Sequence, residues 1–257
     1  MSVELIAQKA SEPASGGQAQ ARSRYETLLE VLRLRRTARA FDPTEPMPDE
    51  TYRLILEAAR LAPSGANAQP WSFVVVASSW TRHVIAHALA DAQAAGAQAG
   101  AGGGIDYRAI ETAAGCMVVV TDFRLTWAFP GLMQGTELDQ RYHANAERII
   151  LQSVAAATTA AHLAAAALGF QSWWISLLGR EEIQATVKEM LEIPADLTVT
   201  DIMLFGSAAG PVKSRWKKEV ADIVGWDRFN MENFRSLAQI DAWMKDLAGR
   251  FRRGRIE

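Results

Sequence analysis

Arg35, Arg36, Thr37 and Arg39 stand together in the stretch RLRRTARAF, three permanent cations and a hydroxyl within five positions. Guanidinium forks match phosphate and carboxylate oxygens in bidentate fashion, so such a run can hold an anion. Cations at the end of a helix also complement its dipole, which is a structural reason of its own. A second basic run, Lys213, Arg215, Lys217 and Lys218, follows a Gly-Pro turn far along the chain, and the two could converge on one anion. Between them, RLAPSGANAQPW (60–71) places Pro63, Ser64, Gly65 and Asn67 just ahead of an apolar strand. Residues this small make either an ordinary loop or a surface on which something lies.

Other reactive residues read as structural. His83 and His87 are four apart and could share a helix face, but a zincin needs Glu after the first and Val84 stands there. No Cys pair or further His lies close by, so the expectation is no metal. Cys116 opens an apolar strand and reads as a small core residue. The glycine patch GAQAGAGGGID (96–106) follows a helical segment, whereas a dinucleotide loop follows a strand. The tail arginines Arg250, Arg252, Arg253 and Arg255 read as a solvated end.

The elements that must position these groups fit one large domain. The chain has 257 residues, 49% hydrophobic and 22% charged, with a formal charge of −2 that offers no general attraction to nucleic acid or acidic membranes. One cysteine excludes an internal disulfide and fits a reducing compartment. No uninterrupted apolar run approaches ~20 residues and no secretion signal is read, so the expected location is the cytoplasm.

Residues 1–22 lack apolar periodicity and read as a disordered arm. Helical periodicity begins at Tyr25, with Leu28, Leu29, Leu32 and Val31 on one face. Asp49 is an expected N-cap for a helix with a buried stripe of Leu54, Ile55, Ala58 and Ala59. WSFVVVAS (71–78) and CMVVVTD (116–122) predict strands covered on both faces. Residues 81–95 and 107–114 predict helices, 124–143 irregular chain, and an Ala-rich helix should run from Ala144 to Leu168 with Gly169 as its C′ residue. QSWWISLLG and TVTDIMLFGSA are the remaining strands, and the tail adds an amphipathic helix.

Read together, RRTARAF, PMPDETYRLILEAARLAPSGANAQPWSFVVV, AAAALGFQSWWIS and PVKSRWKKEVADIVGWDRF resemble the FMN-dependent nitroreductase superfamily over roughly residues 25–230. The resemblance implies an α+β fold, with a central mixed or mostly antiparallel sheet flanked by helices in an intertwined homodimer. It implies an FMN-binding domain over 23–230 and a helical, basic extension over 231–257. It places Arg35, Arg36 and Thr37 at the FMN phosphate and ribityl chain, and Arg39 at the pyrimidine edge. The loop of Pro63, Ser64, Gly65 and Asn67 would lie beside the isoalloxazine ring, and Trp174, Ile175 and Ser176 near N5 and O4. Lys213, Arg215 and Lys217 would complete the phosphate site. The implied reaction is ping-pong: NADH or NADPH reduces the flavin at N5, and a nitroaromatic, quinone or similar acceptor is reduced on the same face. No side chain is nominated as an obligatory acid or base.

The resemblance stops at the segments that cover the flavin. The stretch DAQAAGAQAGAGGG (91–104) lacks the Glu, Tyr and Lys set of the iodotyrosine deiodinases, so deiodination is not expected. The PSGAN loop also differs from the flavin-cleaving branch. Aromatic content alone nominates Trp127, Phe129, Tyr142 and His143 for the substrate pocket. The alternatives are a flavin carrier or sensor without turnover and a flavin-dependent dehydrogenase of an organic substrate.

Overall fold

The computed structural model describes residues 15–43, 46–98, 105–128, 137–212 and 217–252. The chain divides into a large unit up to Gly210 and a smaller one from Pro211. The large unit is built on four strands, β1 (Trp71–Val75), β2 (Gly115–Thr121), β3 (Gln171–Ser176) and β4 (Thr198–Gly206), in the order β1-β2-β4-β3. All three pairings are antiparallel. The fold is α+β, as the resemblance implies.

β2 is buried at every position, as its unbroken run of apolar residues requires. β1 carries a similar run but lies at the sheet edge and is partly exposed, so the expectation of two covered faces fails there. A run of β-branched residues does not by itself reveal how many neighbours a strand has.

One face of the sheet packs against α2 (Asp49–Arg60) and α5 (Glu137–Ala167). Tyr52, Ile55 and Ala59 of α2 meet Val154, Ala157, Ala161 and Ala165 of α5 over Met117, Val119, Met203 and Phe205. The alanines recur at helical spacing and let α5 approach its neighbours closely. The buried stripe of α2 runs through Tyr52 rather than Leu54, which is 49% exposed, and Pro48 rather than Asp49 is the N-cap. Cys116, Val118, Ile202 and Leu204, of opposite parity, face the other side. There α6 (Glu181–Met190) lies against β4, and α3 (Ser79–Gln98) packs on α6 and on the short α4 (Ala109–Thr112). Cys116 is buried, and burial pushes its thiol up to about 12, an inert core cysteine as expected.

Two helices are longer than their periodicity announced. α1 (Ser15–Leu34) begins ten residues before Tyr25, inside the stretch expected to be disordered. α5 begins at Glu137, inside the stretch expected to be irregular. α5 ends as expected at Gly169 (φ 88°), where the Phe170 N–H donates to the carbonyl of Ala165 and the Gly169 N–H to that of Ala166. Over His143–Ala167 it is long and apolar enough by composition to cross a bilayer, but half of that stretch is buried inside the protein. It is the central helix of the core.

The smaller unit holds α7 (Leu237–Arg252) and two single 3-10 turns. Glu219 and Asp222 cap the first turn reciprocally, and the Asn230 side chain caps the second. It begins at Pro211, twenty residues ahead of the extension expected at 231. Its large apolar residues are open: Trp226 is 84% and Leu237 80% exposed.

The interior holds one polar anchor whose removal is testable. The Tyr52 hydroxyl accepts the backbone N–H of Cys116 at 3.0 Å, tying α2 to the central strand. Tyr52→Phe leaves that N–H without a partner in a buried site. The variant should lose about 1–3 kcal/mol of stability, read from its urea midpoint at unchanged slope.

Candidate functional site

The arginine segment leaves α1 at Leu34 and runs along the outer edge of β3. Thr37 forms a parallel bridge with Ser172. The Ser172 N–H donates to the Arg36 carbonyl and the Ala38 N–H to the Ser172 carbonyl, both at 3.2 Å. Ala38 and Phe41 are buried, and Asp42 and Ala40 pair with Ser207 and Ala209 just beyond β4. The backbone is thus held at both ends while the charged side chains stay available. Arg35 and Arg36 are half-buried and Thr37 and Arg39 exposed. Among the described residues no carboxylate lies within ion-pair reach of Arg35, Arg36 or Arg39. Arg36 Nη1 donates to the Arg35 carbonyl at 2.9 Å, and the Arg39 guanidinium sits 5.9 Å from the centre of the Trp173 ring. A guanidinium without an ion-pair partner is available to an anion.

The β3 edge supplies directional groups beside that segment. Both backbone groups of Ser172 point away from β4, toward the arginine segment. Backbone direction alternates along a strand, so the N–H and C=O of Trp174 and Ser176 point the same way. Those of Ile175 point into the sheet, where it pairs with Ile202, and its side chain is buried. Of the three residues expected at the flavin, Trp174 and Ser176 therefore offer backbone contacts and Ile175 does not. The Trp174 indole donates to Asp201 Oδ1 at 2.6 Å, which fixes its ring.

The loop after α2 is held on α5. The Gly65 N–H donates to Ser153 Oγ at 3.1 Å, and that hydroxyl passes its own proton to the Ile149 carbonyl. Ser64 Oγ accepts the Gln69 N–H at 3.1 Å, so its hydroxyl already closes the loop. Ala66, Asn67 and Gln69 adopt left-handed backbone, with φ of 51°, 54° and 46°. Non-glycine residues held there carry strain that the surroundings must sustain, and such residues gather at ligand sites. The side chain of Asn67 is exposed, as is Pro63.

Beneath β3 lie two buried ionisable groups. His162 of α5 shares a hydrogen bond between its Nδ1 and Ser172 Oγ and stacks on Trp174 at 5.7 Å between ring centres. Its Nε2 is buried without a partner among the described residues. Burial, with the charge of Arg35 adding to it, lowers the His162 pKa to about 4, so the ring is neutral. Burial raises the Asp201 carboxyl, against the hydrogen bond from Trp174.

Of the remaining expected residues, Lys217 is exposed in the smaller unit. Lys213, Arg215 and Phe129 lie outside the described residues, as do the side chains of Trp127 and Tyr142. His143 is half-buried near the start of α5. Ser153, His162 and Ser172, which hold the loop and the edge in place, carry no sequence signal. Each is a single polar residue in an apolar element, and only the fold gives it a partner.

The described residues form an antiparallel α+β sheet with the arginine segment along its outer edge. The chain belongs to the nitroreductase family, whose profile matches residues 32–207. An Archaeoglobus fulgidus protein, provisionally named an NADH dehydrogenase/NAD(P)H nitroreductase, is 28% identical over 181 residues, which are 70% of this chain and 85% of that one. Rat iodotyrosine deiodinase 1 is 42% identical, but over 64 residues that make up 22% of its length. Among solved structures, the NADPH:FMN oxidoreductase of Vibrio harveyi complexed with NAD+ superposes with a TM-score of 0.60 at 21% identity, covering 86% of this chain and 85% of that one. Nitroreductase A of Vibrio parahaemolyticus gives 0.62 at 17% identity, covering 88% and 84%.

Proposed function

We propose that this protein is an FMN-dependent NAD(P)H oxidoreductase that passes electrons to a nitroaromatic, quinone or similar small acceptor. The observation that carries the reading is the set of three uncompensated guanidiniums beside the open β3 edge, in a chain of the nitroreductase family. FMN carries a terminal phosphate and a heterocycle with donor and acceptor atoms on its rim, which calls for such a donor set. When bound, FMN supplies two-electron chemistry, accepting hydride from a nicotinamide and delivering it to an acceptor.

Arg35, Arg36 and Thr37 bind the phosphate and ribityl chain. Arg39 places positive charge by the pyrimidine edge, and the outward backbone of Trp174 and Ser176 orients the ring. Pro63, Gly65 and Asn67 border it, and Ser64 shapes the loop. His143, near the start of α5, stands on the acceptor's side. Donor and acceptor use one face in turn, which is a ping-pong scheme.

The reading includes a homodimer. Ser153, which holds the loop, and His162, which holds the β3 edge, are nine residues apart on α5, about 13–14 Å along its axis. A second copy would bring its own loop to the first copy's edge. The exposed Trp226, Phe229 and Leu237, and Leu28 and Leu32 of α1, are apolar surface for it to cover.

The test is the visible spectrum of purified protein under anaerobic addition of NADH and then NADPH. Flavin bands that bleach, and return when a quinone or nitroaromatic is added, are the expected result. Bands that persist with both donors would remove the nicotinamide-driven reaction and leave a flavin carrier. No bands after FMN is supplied would overturn the assignment of Arg35–Arg39.

A further inference from the structure

We infer that His83, His87 and Glu111 form a binding site for a divalent transition-metal ion of the zinc type. One ligand atom from each of the three lies within 4.8 Å of the other two. His83 and His87 occupy adjacent turns of α3, and their ring centres are 4.1 Å apart. Glu111 comes from α4 and reaches His83 Nδ1 with Oε2 at 3.1 Å. Two ligands on a tetrahedral zinc ion, each about 2.0–2.1 Å from the metal, sit roughly 3.3 Å apart. The His83–Glu111 pair already stands near that spacing, and His87 closes on it by rotation of an exposed side chain.

The supporting structure is fixed. Arg82, beside His83, is buried, and its Nε and Nη1 donate at 2.7 Å to the carbonyls of Val76 and Ala113. That joins this turn of α3 to the chain two residues past Glu111. Trp80 stacks on the His83 ring at 5.8 Å and limits its rotation. Arg108, the nearest competing cation on α4's side, is taken by Asp106 through Nε and Nη2. The Glu111 carboxylate makes its hydrogen bond with His83, and Arg108 adds only a Coulombic attraction.

The donor set selects the ion. Two imidazoles and one carboxylate suit Zn2+, Ni2+ or Cu2+, whereas Mg2+ and Ca2+ prefer oxygen ligands alone. Three protein ligands on an exposed site leave a fourth position for water. The ion would join α3 to α4.

The site is tested by titrating Zn2+ calorimetrically into full-length, flavin-loaded protein without a histidine tag. One ion per chain is expected, with no saturable binding of Mg2+. His87→Ala, at an exposed position, should fold as the parent does by circular dichroism and bind Zn2+ at least tenfold more weakly. Glu111→Gln should show a similar loss. Absence of saturable Zn2+ binding in the parent, or parental affinity in His87→Ala, would overturn the site and leave a plain His83–Glu111 hydrogen bond. Parental affinity in Glu111→Gln alone would overturn the three-ligand assignment. None of these outcomes depends on whether NAD(P)H reduces the flavin.

Discussion

Replacing Arg35 and Arg36 together with alanine is expected to weaken FMN binding by about two to three orders of magnitude. A hydrogen bond to a charged group contributes about 1.5–3 kcal/mol, and two such interactions with one phosphate amount to roughly 3–5 kcal/mol, at ~1.4 kcal/mol per decade. The fold should survive, because neither guanidinium holds another element in place. Arg36 reaches only the carbonyl of its neighbour, and Arg35 has no hydrogen bond or ion pair from its side chain among the described residues. The measurement is a fluorescence titration with FMN and with riboflavin, which lacks the phosphate. The parent should prefer FMN strongly, and the double variant should bind the two nearly alike. Equal losses for both ligands would mean that the arginines support the ring rather than the phosphate. Added salt should narrow the parent's preference, since the charges are only half-buried.

The second large effect is a loss of stability on acidification that traces to His162. The ring titrates near 4 in the folded protein and near 6.5 when unfolded. As pH falls below 6.5 the unfolded chain takes up a proton that the native state refuses, so the unfolded state gains. The contribution is complete above pH 6.5 and is lost progressively as pH falls toward 4. Between pH 7 and 4.5 it amounts to about 2–3 kcal/mol. Asp201 works in the opposite direction, because a raised carboxyl pKa lets the native state take up its proton first. Urea unfolding at the two pH values should therefore compare the parent with His162→Gln. The parent should lose about 2–3 kcal/mol more than the variant, and an equal loss in both would show that His162 is not the group responsible.

What the sequence disclosed and what it withheld divide along one physical line. Arg35–Thr37 and the 63–67 loop could be nominated from the sequence because each is a contiguous run whose composition says what it could do. The Ala-rich stretch announced α5, and Gly169 announced its end. What was not legible depended on partners distant along the chain. WSFVV reads like a central strand, yet β1 has a neighbour on one side only. The polar first turns of α1 carry no apolar spacing, and α1 is helical all the same.

The histidine pair shows the limit most plainly. A search of its neighbourhood in the sequence finds Val84 where a zincin carries Glu, and stops there. The carboxylate that meets His83 is twenty-eight positions away, across the glycine-rich stretch. Ser64 shows the converse: its presence in the loop was evident, but its use was not. Its hydroxyl accepts a backbone N–H five residues on.

The outward edge of β3 bears on how this site can vary among relatives. Its N–H and C=O groups belong to the peptide bonds of Trp174 and Ser176, so every amino acid except proline would display the same pair of groups there. A change of side chain at Ser176 would therefore leave its backbone groups in place, whereas Trp174 is also held through its indole by Asp201 and His162. On the proposed reading, a contact to the ring made through such backbone groups would not show in a comparison of relatives letter by letter.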